Sequence, residues 1–163
     1  MTLYMIKTPA DLKAYFATVA ADLGASFEYG NSERILNRQQ GDLVYPLIWL
    51  EVPEVTLRRE GTLFRRFQSA FVCLDNREPD DYSGQDAALD AMHALTEQVL
   101  QRMMTDSETQ PVPFVFDMAG ARSEYKGKWS ADDDWGWRTE FDLDGAAWRI
   151  DVQVHGLAGC GLE

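Results

Sequence analysis

Apolar residues recur along this chain with two different periods, and each change of period marks an element. Leu12, Phe16, Val19 and Leu23 follow one another at intervals of four, three and four, the spacing of one helical face. Thr8 can cap that helix, Pro9 suits its first position and Gly24 stops it, so the pattern predicts an amphipathic helix over 9–23. Leu89, Met92, Leu95, Thr96, Val99 and Met103 predict a second, longer helix over 85–104, capped by Ser83 or Gly84.

Elsewhere the period is two. Phe27 and Tyr29 alternate briefly. The apolar run 43–52 reads as a strand at an edge, or one that begins after Pro46, because proline cannot donate to a ladder. Residues 55–76 read as two strands joined near Glu60-Gly61. Phe67, Ser69, Phe71 and Cys73 then share one face, and Gln68, Ala70, Val72 and Leu74 the other. Short strands are predicted at 113–118 and around Arg122–Trp129. Trp137, Thr139, Phe141 and Leu143 alternate with charged residues up to Asp144-Gly145, a type I′ turn signal, and alternation resumes from Trp148 to Val154. The expected fold is α+β: a mainly antiparallel sheet with a wet and a dry face, two helices on the dry face, a long hairpin and a C-terminal hairpin. The 163 residues form one domain, with 155–163 as a flexible tail.

Charge narrows the partners. The formal net charge is −12, which disfavours phosphate backbones and anionic membranes, so neither nucleic acid nor membrane is expected. The acidity is uneven, however. Arg58, Arg59, Arg65 and Arg66 are four of the 15 basic residues and fall within nine positions of the hairpin. A protruding basic arm meeting the acidic surface of another copy is one reading; a solvated hairpin end is another, and a phosphate site a third. Phe64 and Phe67 beside them, and Trp135 and Trp137 further on, complete the candidate interface residues.

Candidate chemistry is sparse. Asp132, Asp133 and Asp134 are consecutive carboxylates without the alternating ligands of a calcium loop, and read as an acidic loop. Trp129, Trp135 and Trp137 with Tyr125 are interface or core anchors, or a stacking platform for a sugar or base. Cys73 lies in the apolar run FVCL, where burial makes a thiol inert, and Cys160 in a glycine-rich tail, with no metal-ligand spacing between them. His93 borders a helix face and His155 ends a predicted strand. No nucleophile-elbow, phosphate-loop, dinucleotide or zinc-protease motif occurs, so no catalytic residue, cofactor or metal is expected. The N-terminus lacks the pattern of a signal peptide and no apolar run approaches ~18 residues, which points to the cytoplasm.

The order of elements, helix 9–23, strand YPLIWLEV (45–52), hairpin 55–74 and helix 85–104, resembles that of tail-terminator and tail-completion proteins of tailed bacteriophages and related contractile particles. That resemblance implies a structural role without catalysis. It implies a homo-oligomer, possibly a ring, joined through edge strands and the basic hairpin and contacting other structural proteins in the host cytoplasm or virion. The alternatives are a small-ligand-binding α+β module, with the tryptophans lining a cavity, and an adaptor or inhibitor that uses its acidic surface.

Overall fold

A capping box starts the first helix, α1 (Pro9–Asp22). The Thr8 hydroxyl accepts from the Asp11 amide at 3.2 Å, and the Asp11 carboxylate accepts from the Thr8 amide at 3.0 Å. In this computed structural model the described residues are 5–31, 33–34, 41–60, 62–78, 80–109, 114–130 and 132–147; at 59, 60, 62, 63, 146 and 147 the description covers backbone only. His155, Cys160 and the strand expected from Trp148 lie outside them.

The strands are β1 (Ser26–Tyr29), β2 (Leu47–Leu50), β3 (Glu54–Glu60), β4 (Thr62–Asn76), β5 (Arg122–Gly127) and β6 (Asp134–Ala147). They form one six-stranded sheet in the order β1-β2-β4-β6-β5, with β3 also on β4. Among the described residues β1 and β2 run parallel and the other pairs antiparallel. β4 spans 15 residues, long enough for two strands on one side. β3 takes Thr62–Gln68 and β2 takes Phe71–Leu74, while β6 lines the opposite side from Phe64 to Asn76.

Helix α1 and the second helix, α2 (Tyr82–Thr109), lie on one face. Phe16 stacks with Phe141 and meets Phe71 at a tilt, at 5.5 and 5.6 Å between ring centres, joining helix to sheet. Arg102 of α2 reaches Asp22 of α1 at 2.9 Å and Asp106 at 2.8 Å, and the Tyr15 hydroxyl donates to Asp106 at 2.7 Å, so polar contacts close the helix pair at its edge. Among the described residues no helix is long and apolar enough to cross a membrane.

The fold class is the expected one, and four details differ. Helix α2 begins earlier than 85 because Asp81, rather than Ser83 or Gly84, receives the Gly84 amide at 2.9 Å. Phe114 and Phe116 do not form a strand. Both are buried, the Phe114 carbonyl and Phe116 amide bond the Ser107 hydroxyl, and Val115 between them forms an isolated bridge with Asp144. The turn expected at Asp144-Gly145 is absent, because β6 continues along β4 to Ala147 through an irregularity in register. The C-terminal antiparallel pair is β5 with β6. Gly145 is needed for a close approach: a Cβ there would meet the Ile6 carbonyl oxygen and lie 2.7 Å from the Phe67 ring. Finally, the second face is not uniformly wet. Leu47, Trp49, Val72 and Leu74 form a smaller core there with Leu43, against which Tyr45 and Trp129 pack. All four residues of β2 are buried, the mark of a strand covered on both faces.

Candidate assembly surface

The arginine-bearing hairpin is a corner of the sheet rather than a free arm, since β6 accompanies β4 as far as Phe64. Its cross-strand pairs are Val55 with Phe67, Thr56 with Arg66, Leu57 with Arg65 and Arg58 with Phe64. Alternation therefore divides the basic residues between faces. Phe67 lies in the main core, so Val55, Leu57 and Arg65 share the helix-side face. Arg58 and Arg66 lie on the open face. Arg66 makes a forked bond to Asp144, at 2.9 and 3.3 Å, and the Arg58 guanidinium lies 6.0 Å from the centre of the Phe64 ring. Arg59 is opposite Leu63 in register, with its side chain outside the described part.

Two candidates from the sequence are claimed by the interior. Phe67 is fully buried against the helix-side core, so it offers no surface to a partner. Trp137 donates its indole N–H to the Leu89 carbonyl at 2.8 Å and meets His93 edge-on at 5.4 Å, which ties β6 to α2. Trp135 is half-buried beside Tyr125, with ring centres 6.5 Å apart. Trp129 packs on the second core with Lys126 over its ring at 4.7 Å. Trp129 and Trp137 thus serve opposite faces, and the three tryptophans do not build one stacking platform. His93 is half-exposed and stands 3.4 Å from Glu97, a helix-boundary residue.

In place of those residues the outer edge of β3 comes forward. Glu54, Val55, Thr56 and Leu57 are all exposed, Val55 by 41% and Leu57 by 56%. Among the described residues β3 pairs with β4 alone. Its outward amides and carbonyls form the row that a further strand can join. The other outer strands are blunted. β1 has four residues, and β5 carries Arg122, Glu124 and Lys126 at alternate positions.

Pattern reading missed a second polar arrangement. The Tyr45 hydroxyl lies 3.1 Å from Asp132 Oδ2 and 3.0 Å from Asp134 Oδ2. Asp134 is fully buried and Asp132 nearly so. The Gly41 amide donates to Asp132 at 2.9 Å and the Ser130 amide to Asp134 at 3.1 Å. Burial, with the two carboxylates beside it, pushes the Tyr45 hydroxyl far above the ordinary tyrosine value, so it stays protonated and donates. Three consecutive acids thus serve different ends. Asp132 and Asp134 fasten the loop before β2 to the loop before β6, and Asp133 faces Lys128 at 3.4 Å. Among the described residues no three histidine, cysteine or acidic side chains converge as a metal site.

On the open face Arg138 forks onto Glu51 at 2.7 and 2.9 Å, with Glu124 and Glu140 at 3.5 and 3.6 Å. Hydrogen bonding to Glu51 raises the guanidinium further above its already high value. Two shallow depressions flank this group, of about 600 and 500 Å³, and neither is lined by Trp135 or Trp137.

Cys73 is fully buried in the main core, and burial pushes its thiol up to about 12. The unfolded chain therefore releases the thiol proton first, and stability should fall as pH rises from the ordinary thiol value near 9 towards 12. In thermal melts between pH 8 and pH 10.5 the wild type should lose more stability than Cys73→Ala. Equal losses would show that the thiol does not contribute.

No protein-family model matches the chain, and no curated protein matches it.

Proposed function

We propose that this protein is a structural subunit that assembles with copies of itself through the outer edge of β3, the kind of role implied by its resemblance to tail-terminator and tail-completion proteins. The observation carrying this reading is the exposed apolar stretch of that edge. β3 is seven residues long, contains no proline or lysine, has its charges at Glu54 and in the run 58–60, and between them exposes Val55 and Leu57 on one face. Monomeric proteins blunt such edges with charge, proline, bulges or brevity. The charge distribution fits as well. Residues 54–66 carry Arg58, Arg59, Arg65 and Arg66 against Glu54 and Glu60, or 4 − 2 = +2, within a chain of net −12. In this reading the protein works in the host cytoplasm during assembly and in the finished particle, beside other structural proteins. A ligand module would instead place Trp135 or Trp137 in an enclosed pocket with converging polar groups; the indole N–H of Trp137 instead bonds the Leu89 carbonyl.

Leu57→Lys tests the proposal. Leu57 is exposed, so the substitution should change stability by no more than about 0.5 kcal/mol. A lysine on the edge should nevertheless oppose strand addition. Light scattering across a concentration series should show association for the wild type and a folded monomer for Leu57→Lys. A wild type that stays monomeric at the highest concentration, or a variant that associates equally well, overturns the reading. Leu57 is a better probe than Arg66, whose reversal would also break the fork to Asp144.

A further inference from the structure

We infer that two copies join their β3 strands antiparallel about a two-fold axis at Thr56, making one continuous sheet across the pair. This inference rests on the assembly reading above and specifies its geometry. In an edge strand alternate residues direct their amide and carbonyl outward. Only residues of the same parity can therefore exchange hydrogen bonds across a two-fold axis, so the axis must pass through a residue rather than between two. Three centres near the middle of the exposed run can be compared: Val55, Thr56 and Leu57.

Centring on Val55 sets Pro53 opposite Leu57, drawing into the ladder a residue that has no N–H to donate, and sets Glu54 opposite Thr56. Centring on Leu57 sets Glu54 opposite Glu60, a like-charge pair occurring twice by symmetry. Centring on Thr56 sets Glu54 opposite Arg58 of the second copy, Val55 opposite its Leu57, and Thr56 opposite its Thr56. Opposite charges then meet twice, and four exposed apolar side chains meet in two pairs. The faces agree too. Val55 and Leu57 share the helix-side face, whereas Glu54, Thr56 and Arg58 share the open face. The run EVTLR is thus self-complementary about its central threonine, which accounts for the otherwise unexplained exposure of Val55 at 41% and Leu57 at 56%. Such a contact is isologous and closes at two copies, so larger assemblies must use a second surface.

A charge swap tests the register in the full-length chain. Glu54→Arg places arginine opposite arginine, and Arg58→Glu places glutamate opposite glutamate. Each single variant should weaken the dimer roughly tenfold or more by sedimentation or light scattering. The combined variant, with the pair reversed, should return to within about threefold of wild type. Circular dichroism checks that all three are folded. Independently, Thr56→Cys should be trapped as a dimer by a short bismaleimide, because the axis brings the two positions together. If the wild type associates but the swap does not restore affinity and Thr56→Cys is not trapped, this register is wrong while the assembly reading stands. If the wild type does not associate at any concentration, both fall.

Discussion

Gly136→Ala is expected to destabilise the protein by at least about 4 kcal/mol, a large part of the total stability of a domain this size. Gly136 pairs with Leu74 at the heart of the sheet, where β6 lies along β4. A Cβ at this position would collide with the Cys73 carbonyl oxygen, lie 2.8 Å from the Cys73 carbonyl carbon and 3.1 Å from the Leu74 Cα. All three atoms are backbone atoms of the central strand, so no side-chain rotation relieves the clash. The strands must separate instead, which strains the ladder and the cores on both faces. Gly120→Ala is the control, because a Cβ there meets nothing within 4 Å. Chemical denaturation should show a large loss for Gly136→Ala and a change below about 1 kcal/mol for Gly120→Ala. Equal midpoints for the two variants would show that the sheet is not packed as described.

Gly136 also marks the limit of what the sequence discloses. A glycine between two tryptophans in an alternating run signals a bulge or a close approach, but not what approaches. Local signals were legible. Thr8, Pro9 and Asp11 place the start of α1 within a few residues, and the alternation from Phe67 to Leu74 assigns each residue of β4 to its face. Asp144-Gly145 misleads because turn chemistry acts over four residues, whereas the long β4 offers a continuous partner that carries β6 past it. The strand expected at Phe114–Phe116 stops at the single bridge of Val115 to Asp144, because the chain turns into a short helical turn at Met118–Gly120, while the Ser107 hydroxyl on α2 holds the Phe114 carbonyl and Phe116 amide that point away from β6. The candidate surface was half legible. Arginine clustering pointed to the hairpin, and alternation assigns Arg58 and Arg66 to one face and Arg65 to the other. The exposed edge of β3 follows only once β2 and β3 share the same side of β4. That division depends on the length of β4 and on the path through Pro53, neither of which has a local signature.

The Tyr45 arrangement was the least legible, since its members are separated by 85 to 89 residues. Its energetics can be isolated by Tyr45→Phe, which keeps the ring against the second core and removes only the hydroxyl. Asp134 would retain the Ser130 amide and hydroxyl as donors, and Asp132 the Gly41 amide. The two carboxylates would then face each other without the O–H that lies between them. A hydrogen bond to a charged group contributes about 1.5–3 kcal/mol, and a loss in that range is expected from denaturant unfolding. Asp132→Asn supplies the second half of a double-mutant cycle. If the hydroxyl acts by holding the two carboxylates together, the paired losses should fall short of their sum by more than about 1 kcal/mol, because Asp132→Asn removes the charge that makes Tyr45→Phe costly. Losses that add within about 0.3 kcal/mol would show that the hydroxyl acts through Asp134 or Ser130 and not through Asp132. A coupled result would have a structural consequence as well. Tyr45 belongs to the loop that leads into β2, and β2 fixes where β3 must turn off along β4. Loosening that loop should therefore weaken association of the wild-type edge at concentrations where the chain is still folded, linking a buried acid pair on one face to the strand edge proposed to join copies.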